Sequence, residues 1–306
     1  WTIWYRDRPE EKLRAIRGKL RRDEDSTVDG LLFRGNKSWV LSNDRTGRFG
    51  LYNYDVKAGV IGDPVFEHPE VDIDDVDFDP VTGEISAVRY QDDRMRVFWL
   101  DPKMKTLQAK LDAAVKDAMN LPVAWSDDES RVLVWSASAS DPGRYYLLDR
   151  GKGQMRPVIE SYPDIDPALL ASVQPIRYQT RDGLILRGYL TLPRGREPKA
   201  LPLIILPHGG PFARDVWSYD PIVQFLANRG YAVLQSQFRG STGFGKDFVA
   251  RGYGEIGKRM QDDLDDGMDW LVKEGRVDPR RVCIVGFPYG GNAAIGGGVR
   301  NPDRNP

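Results

Sequence analysis

The sequence predicts two folds in succession: a partial β-propeller of about three blades over residues 1–165, then a truncated, doubly wound α/β sheet over residues 166–306. Three observations carry this. Apolar-rich segments recur in pairs, 38–41 with 49–52, 84–88 with 96–99 and 131–135 with 145–148, joined by turns at 44–47, 91–94 and 140–143. Asp7, Asp55, Asp101 and Asp149 close the second strand of each pair at spacings of 48, 46 and 48 residues, and four short strands fit a repeat of that length, as in a propeller blade. After the proline-punctuated stretch 161–167 the pattern changes to strands alternating with helices, which marks a domain boundary.

The elements follow in order. Residues 1–7 read as the tail of an earlier blade. Helices are expected over 9–20 and over 103–119, where Leu107, Leu111, Ala114 and Val115 recur at helical spacing; both read as packing insertions. Segments 176–180 and 184–192 form an antiparallel hairpin turning at Arg181-Asp182-Gly183. The sheet core is assigned to strands 202–206, 231–235 and 281–285, with helices near 220–228 and 261–274. The second helix carries Leu264, Met268, Leu271 and Val272 on one face, and Asp262, Asp263, Asp265 and Asp266 towards the end that the helix dipole favours for them. The strand 282–285 reads as buried, with Cys283 inside it. A last helix over 290–300 contains Gly290, Gly291, Gly296, Gly297 and Gly298. Each costs about 0.8–1 kcal/mol relative to alanine in a helix interior, so fraying is expected. Closed propellers have about 4–8 blades, so the ring is expected to be cut, with open strand edges that favour self-association.

Composition narrows the functional classes. The 306 residues are 41% hydrophobic and 29% charged, as in ordinary globular domains, and the net charge of −1 offers no basic field for nucleic acid. No apolar run approaches the ~20 residues of a membrane span, so a soluble protein is expected, with cytoplasm and periplasm both open. The opening Trp1-Thr2-Ile3-Trp4 reads as the inside of a longer gene. One cysteine allows no intrachain disulfide. Residues 286–291 have the glycine spacing of a phosphate loop, but Asn292 and Ala293 stand where Lys and Ser/Thr are needed, and no dinucleotide fingerprint occurs. The acidic run Asp72, Asp74, Asp75, Asp77, Asp79 lacks the glycine and terminal glutamate of a calcium loop and reads as a solvated blade edge. No cofactor and no metal are expected.

The chemistry concentrates in two turns. The apolar strand 282–285 opens into Gly286-Phe287-Pro288-Tyr289-Gly290-Gly291, which has the form of a nucleophile elbow with Pro288 at the serine position. The run Leu203-Ile204-Ile205-Leu206 opens into Pro207-His208-Gly209-Gly210-Pro211, a turn whose N–H groups can hold an oxyanion. Both fall beyond the carboxyl ends of strands, so the two are expected to meet in space. Between them lies Phe238-Arg239-Gly240-Ser241-Thr242-Gly243-Phe244-Gly245.

With the repeats upstream, these motifs resemble the prolyl oligopeptidase family of serine peptidases, in its acylaminoacyl-peptidase and dipeptidyl-peptidase-like branch, over nearly the whole chain and in the order propeller then α/β-hydrolase. The resemblance implies a peptide substrate or ligand, Pro288 at the nucleophile position, and the N–H groups of Gly210 and Tyr289 as oxyanion donors. It leaves the relay histidine unmatched, since only His68 and His208 are present and the turn histidine is structural in the family. Glu10-Glu11 is the kind of pair that holds a substrate amino terminus in dipeptidyl peptidases; a charged, exposed helix face is the alternative. Phe238 and Arg239 either line the substrate pocket or anchor their loop. Pro288 also fixes φ near −65°, away from the strained backbone of an elbow residue, so the turn is expected to be reshaped. The sequence thus predicts peptidase descent without peptidase activity. Two alternatives stand: an active full-length peptidase misread at position 288, and a non-catalytic propeller scaffold that binds peptides or a partner chain.

Overall fold

The computed structural model describes residues 3–16, 30–34, 37–79, 82–300 and 302. The chain divides into two compact units, Trp1–Asp101 with Gly240–Tyr253, and Pro102–Arg239 with Gly254–Pro306.

In the first unit, β1 (Ile3–Tyr5) pairs antiparallel with β2 (Arg14–Ile16). The helix expected over 9–20 is therefore not formed in its described part; residues 9–11 turn, and residues 17–20 lie outside the described residues. A helix this short is marginal by itself, and pairing with β1 supplies the backbone bonds instead, with the Arg14 guanidinium 5.3 Å over the Tyr5 ring. Glu10-Glu11 thus lies in a turn, where Glu11 accepts a bond from the Asp7 N–H at 3.2 Å.

The strands β3 (Gly30–Arg34), β4 (Lys37–Ser42), β5 (Gly50–Asp55) and β6 (Val60–Phe66) form a four-stranded antiparallel meander. β7 (Ile73–Phe78), β8 (Ile85–Gln91) and β9 (Met95–Trp99) form a three-stranded sheet. Alternation along β4 and β5 sends Trp39 and Leu51 into one core with Ile73, Val76, Ile85 and Val88, and Val40, Tyr52 and Tyr54 into another. Asp55 closes its strand because its carboxylate accepts the N–H groups of Lys57 and Ala58, an Asx turn into β6. The acidic run is used for structure: Asp77 pairs with Arg89, while Asp72, buried, accepts bonds from Phe49 N and Gly245 N.

Where the second sheet lacks a fourth strand, the chain enters α1 (Pro102–Ala114). This helix stops short of the expected residue 119 because Asp117 adopts a left-handed φ of 56° and Met119 already begins β10 (Met119–Trp125). β10, β11 (Arg131–Ser138), β12 (Asp141–Asp149) and β13 (Gln154–Glu160) form an antiparallel sheet onto which Leu107 and Leu111 pack, against Val132 and Val134. The turn between β11 and β12 is tighter than expected, since Ser138 already pairs with Asp141. A 3-10 turn, Pro167–Leu169, is capped by Asp166.

The mixed sheet follows, in the order β14-β15-β17-β16-β18. The expected hairpin is β14 (Val173–Gln179) with β15 (Ile185–Thr191). β16 (Leu201–Ile205) leads through α2 (Pro221–Asn228) to β17 (Ala232–Gln237) on one side. The chain then passes α3 (Lys246–Ala250), in the segment that belongs to the first unit, and α4 (Arg259–Lys273), and returns to the other side of β16 as β18 (Val277–Ile284). Strand order thus reverses at β16, the place where α/β sheets open a crevice beyond their carboxyl ends. Leu203, Ile205, Leu234, Leu264, Met268 and Leu271 form the centre of the core. Cys283 corrects the expectation of a fully buried strand: β18 is the sheet edge, Val282 and Ile284 face the core, and the intervening thiol is exposed. α5 (Tyr289–Arg300) is helical throughout its span despite its glycines. Among the described residues no helix is long and apolar enough to cross a membrane.

Candidate active site

The turns after β16 and β18 flank the strand where the order reverses, and they touch. A Cβ placed on Gly209 would lie 2.8 Å from Pro288 Cδ and 3.1 Å from the Phe287 carbonyl oxygen. The expected meeting of the two motifs is therefore realised at atomic contact. Within the elbow the backbone is as crowded: a Cβ on Gly286 would lie 2.5 Å from Gly290 Cα, and one on Gly290 would lie 2.3 Å from the Pro207 carbonyl oxygen. Only glycine fits at these positions, where strand, turn and helix pack without side chains between them.

Pro288, the expected nucleophile position, stands exposed beside Phe287, which is 67% exposed. It does not adopt a left-handed backbone, as its ring requires. Tyr289 nevertheless begins α5, where the first N–H groups of a helix lack intrahelical partners. Gly210 has a φ of 120°, and among the described residues the N–H groups of Gly210 and Tyr289 form no hydrogen bond. Both expected oxyanion donors are thus uncommitted.

Behind this surface the side chains are closely supported. The Phe238 ring is fully buried; it stacks on His208 at 4.3 Å and 18°, and meets Tyr289 at 5.3 Å. The Tyr289 hydroxyl donates to Met260 Sδ at 3.3 Å, and burial pushes its pKa up to about 12. His208 Nδ1 lies 2.7 Å from the Gly209 carbonyl oxygen, and burial pushes the imidazole down to about 4. His68 is placed in the first unit, where its Nδ1 accepts the N–H groups of Glu70 and Val71.

Arg239, expected either to line the pocket or to anchor its loop, is 4% exposed and faces carboxylates on two sides. Its Nε and Nη2 donate to Asp263 at 2.7–3.1 Å, its Nη1 and Nη2 donate to Asp182 at 2.9 and 3.1 Å, and its backbone N–H donates to Asp263 at 2.8 Å. Burial alone would lower the Arg239 pKa, and the two carboxylates more than offset that. The guanidinium in turn holds Asp182 well below the usual carboxylate range.

Two supporting groups escape the sequence reading. Asp263, Asp265 and Asp266, expected towards the end that the helix dipole favours, are also buried; Asp266 pairs with Arg181 at 2.7 Å. Asp215, four residues after the glycine turn, is clamped by the Gln237 amide, which accepts from its N–H at 3.1 Å and donates to its carbonyl at 2.6 Å. Its Oδ1 accepts from Gln235, its Oδ2 has no hydrogen-bond partner, and burial pushes the carboxyl up to about 7.

Residues 217–299 match the prolyl oligopeptidase family. Dipeptidyl aminopeptidase BIII of Pseudoxanthomonas mexicana is 36% identical over 283 residues, which are 90% of this chain and 40% of that protein. In the solved structure of dipeptidyl peptidase 4 from Porphyromonas gingivalis, 44% of the chain aligns with 99% of this one at a TM-score of 0.72 and 18% identity. An acylaminoacyl peptidase solved in complex with Z-Gly-Gly-Phe-chloromethyl ketone aligns over 46% of its chain and all of this one, at a TM-score of 0.64 and 18% identity. The chain therefore spans less than half the length of these relatives. With the elbow, the glycine turn and the sheet order already in place, these matches assign the chain to the prolyl oligopeptidase family of serine peptidases.

Proposed function

We propose that this chain binds short peptides of the kind handled by acylaminoacyl- and dipeptidyl-peptidases but does not hydrolyse them. The carrying observation is the close approach of Gly209 to Pro288: the glycine turn and the elbow come together, and the residue at the serine position has no hydroxyl. His208 is no substitute base, because its ring is stacked on Phe238 and its Nδ1 is engaged by its own turn. Gly210 and Tyr289 are read as carbonyl-holding donors, and Phe238 and Arg239 as the support behind them. The antiparallel sheets are read as about three blades of a propeller over 1–165 and the mixed sheet as the hydrolase part over 166–306, supported by the change of sheet type between β13 and β14.

Calorimetric titration with short N-acylated and N-free peptides, followed by chromatography of the mixture, tests the reading. Saturable binding with intact peptide is expected. Absence of binding would overturn it. Turnover would favour a second reading, an active full-length peptidase with serine at this position, which the preserved glycine packing at Gly286 and Gly290 supports; re-sequencing codon 288 separates the two.

A further inference from the structure

The buried pair Arg239–Asp263 has no role in the motifs, yet it is joined to both turns through one ring. Asp263 is fully buried and accepts from the Arg239 backbone N–H as well as from its guanidinium, so it fixes the main chain next to Phe238 as well as a side chain. Phe238 follows directly on β17, and its ring contacts His208 of the glycine turn and Tyr289 of the elbow. The circuit closes on α4: Met260, one turn before Asp263, receives the Tyr289 hydroxyl. Residues three apart on a helix share a face, so one face of α4 holds Phe238 through Asp263 and Tyr289 through Met260.

We infer that Asp263 and Arg239 are positioning residues, which set the Phe238 ring and through it the relative placement of the glycine turn and the elbow. The inference rests on reading these turns as the two arms of one site, but not on hydrolysis. A surface pair could not do this, because exposed side chains keep their rotamer freedom. Asp182 is the contrast: it touches the same guanidinium with its side chain 41% exposed, and makes no bond to the Arg239 main chain.

The test is an NMR titration of the two histidines in the full chain, with His68, in the other unit, as internal reference. Asp263→Asn and Arg239→Lys should displace the His208 ring resonances, by changing the ring current of Phe238. They should do so without displacing the His68 resonances. Asp182→Asn should leave both unchanged. A folded Asp263→Asn protein, with unmoved His68 signals and an unmoved His208, would overturn the inference, as would an equal response to Asp182→Asn. If either pair variant fails to fold, Phe238→Leu removes the ring while keeping both charges. It must then reproduce the His208 displacement, and an unmoved His208 would again overturn the inference. Peptide binding is read separately, so loss of the proposed function would leave this result standing.

Discussion

The two turns that meet at β16 differ in how they are held. Around the glycine turn, His208 is stacked on a fully buried Phe238, and the adjoining Arg239 is locked between Asp263 and Asp182. At the elbow, Phe287 and Pro288 are exposed, and fixation comes from glycine close packing underneath, at Gly286 and Gly290, and from Tyr289, which meets the Phe238 ring and Met260. Support on one side depends on charges and rings brought from distant elements, whereas the position proposed for the nucleophile is a single exposed side chain packed on Gly209.

The largest expected effect comes from attacking the support. Removing one partner of a buried ion pair costs about 3–5 kcal/mol, because the other charge stays buried. Asp263→Ala should therefore lower the denaturation free energy by about that much, whereas Asp182→Ala, at a more exposed partner of the same guanidinium, should cost no more than about 1 kcal/mol. Equal losses in urea melts would break the distinction between inner and outer carboxylate.

An intermediate effect is expected from pH, with opposite signs at two neighbouring groups. His208 is pushed from 6.5 down to about 4, so folding favours its neutral form; its contribution is full above 6.5 and is lost as pH falls through about 4. Asp215 is pushed from 3.8 up to about 7, so folding favours its neutral acid; its contribution is full below 3.8 and is lost as pH rises through about 7. Asp215→Asn should then flatten the stability profile between about pH 4 and 7, the window between the ordinary and the raised value, and leave the limb below 3.8 unchanged. An unchanged neutral limb in melts across this range would contradict the buried-acid assignment.

How far the sequence discloses all this varies with range. Strand pairs such as 131–135 with 145–148 are legible because alternation and turn residues act locally. The glycine turn and elbow are legible because the backbone itself demands glycine there. The expected helix at 9–20 fails because pairing with β1 outweighs local propensity, and Cys283 is misplaced because an edge position is a property of the whole sheet. The role of Arg239 stays open in sequence because its partners lie 57 and 24 residues away. The aspartates of α4 look like a dipole-favoured cluster until the fold turns Asp263 inward.

The smallest effect is reserved for the periphery. Lys37 and Glu84 form a 2.7 Å pair with both side chains more than half exposed. Such pairs contribute about 0.2–1 kcal/mol, so Lys37→Ala should sit at the lower end of that range and fade in high salt. A loss as large as that of Asp263→Ala would erase the difference between solvent-facing and buried charge on which the comparison rests.

The proposal that the glycine turn and the elbow meet at a position without a nucleophile is tested most directly by an active-site fluorophosphonate probe read by intact mass. In a comparable triad, losing the nucleophile or the histidine alone lowers kcat by about 10⁶, and the two losses do not add. The prediction is no mass addition in the unmodified chain and none in Pro288→Ser, because His208, stacked on Phe238 and engaged by the Gly209 carbonyl, does not serve such a serine as a base. Stoichiometric labelling of the unmodified chain, with matching hydrolysis of a chromogenic peptide, would contradict it.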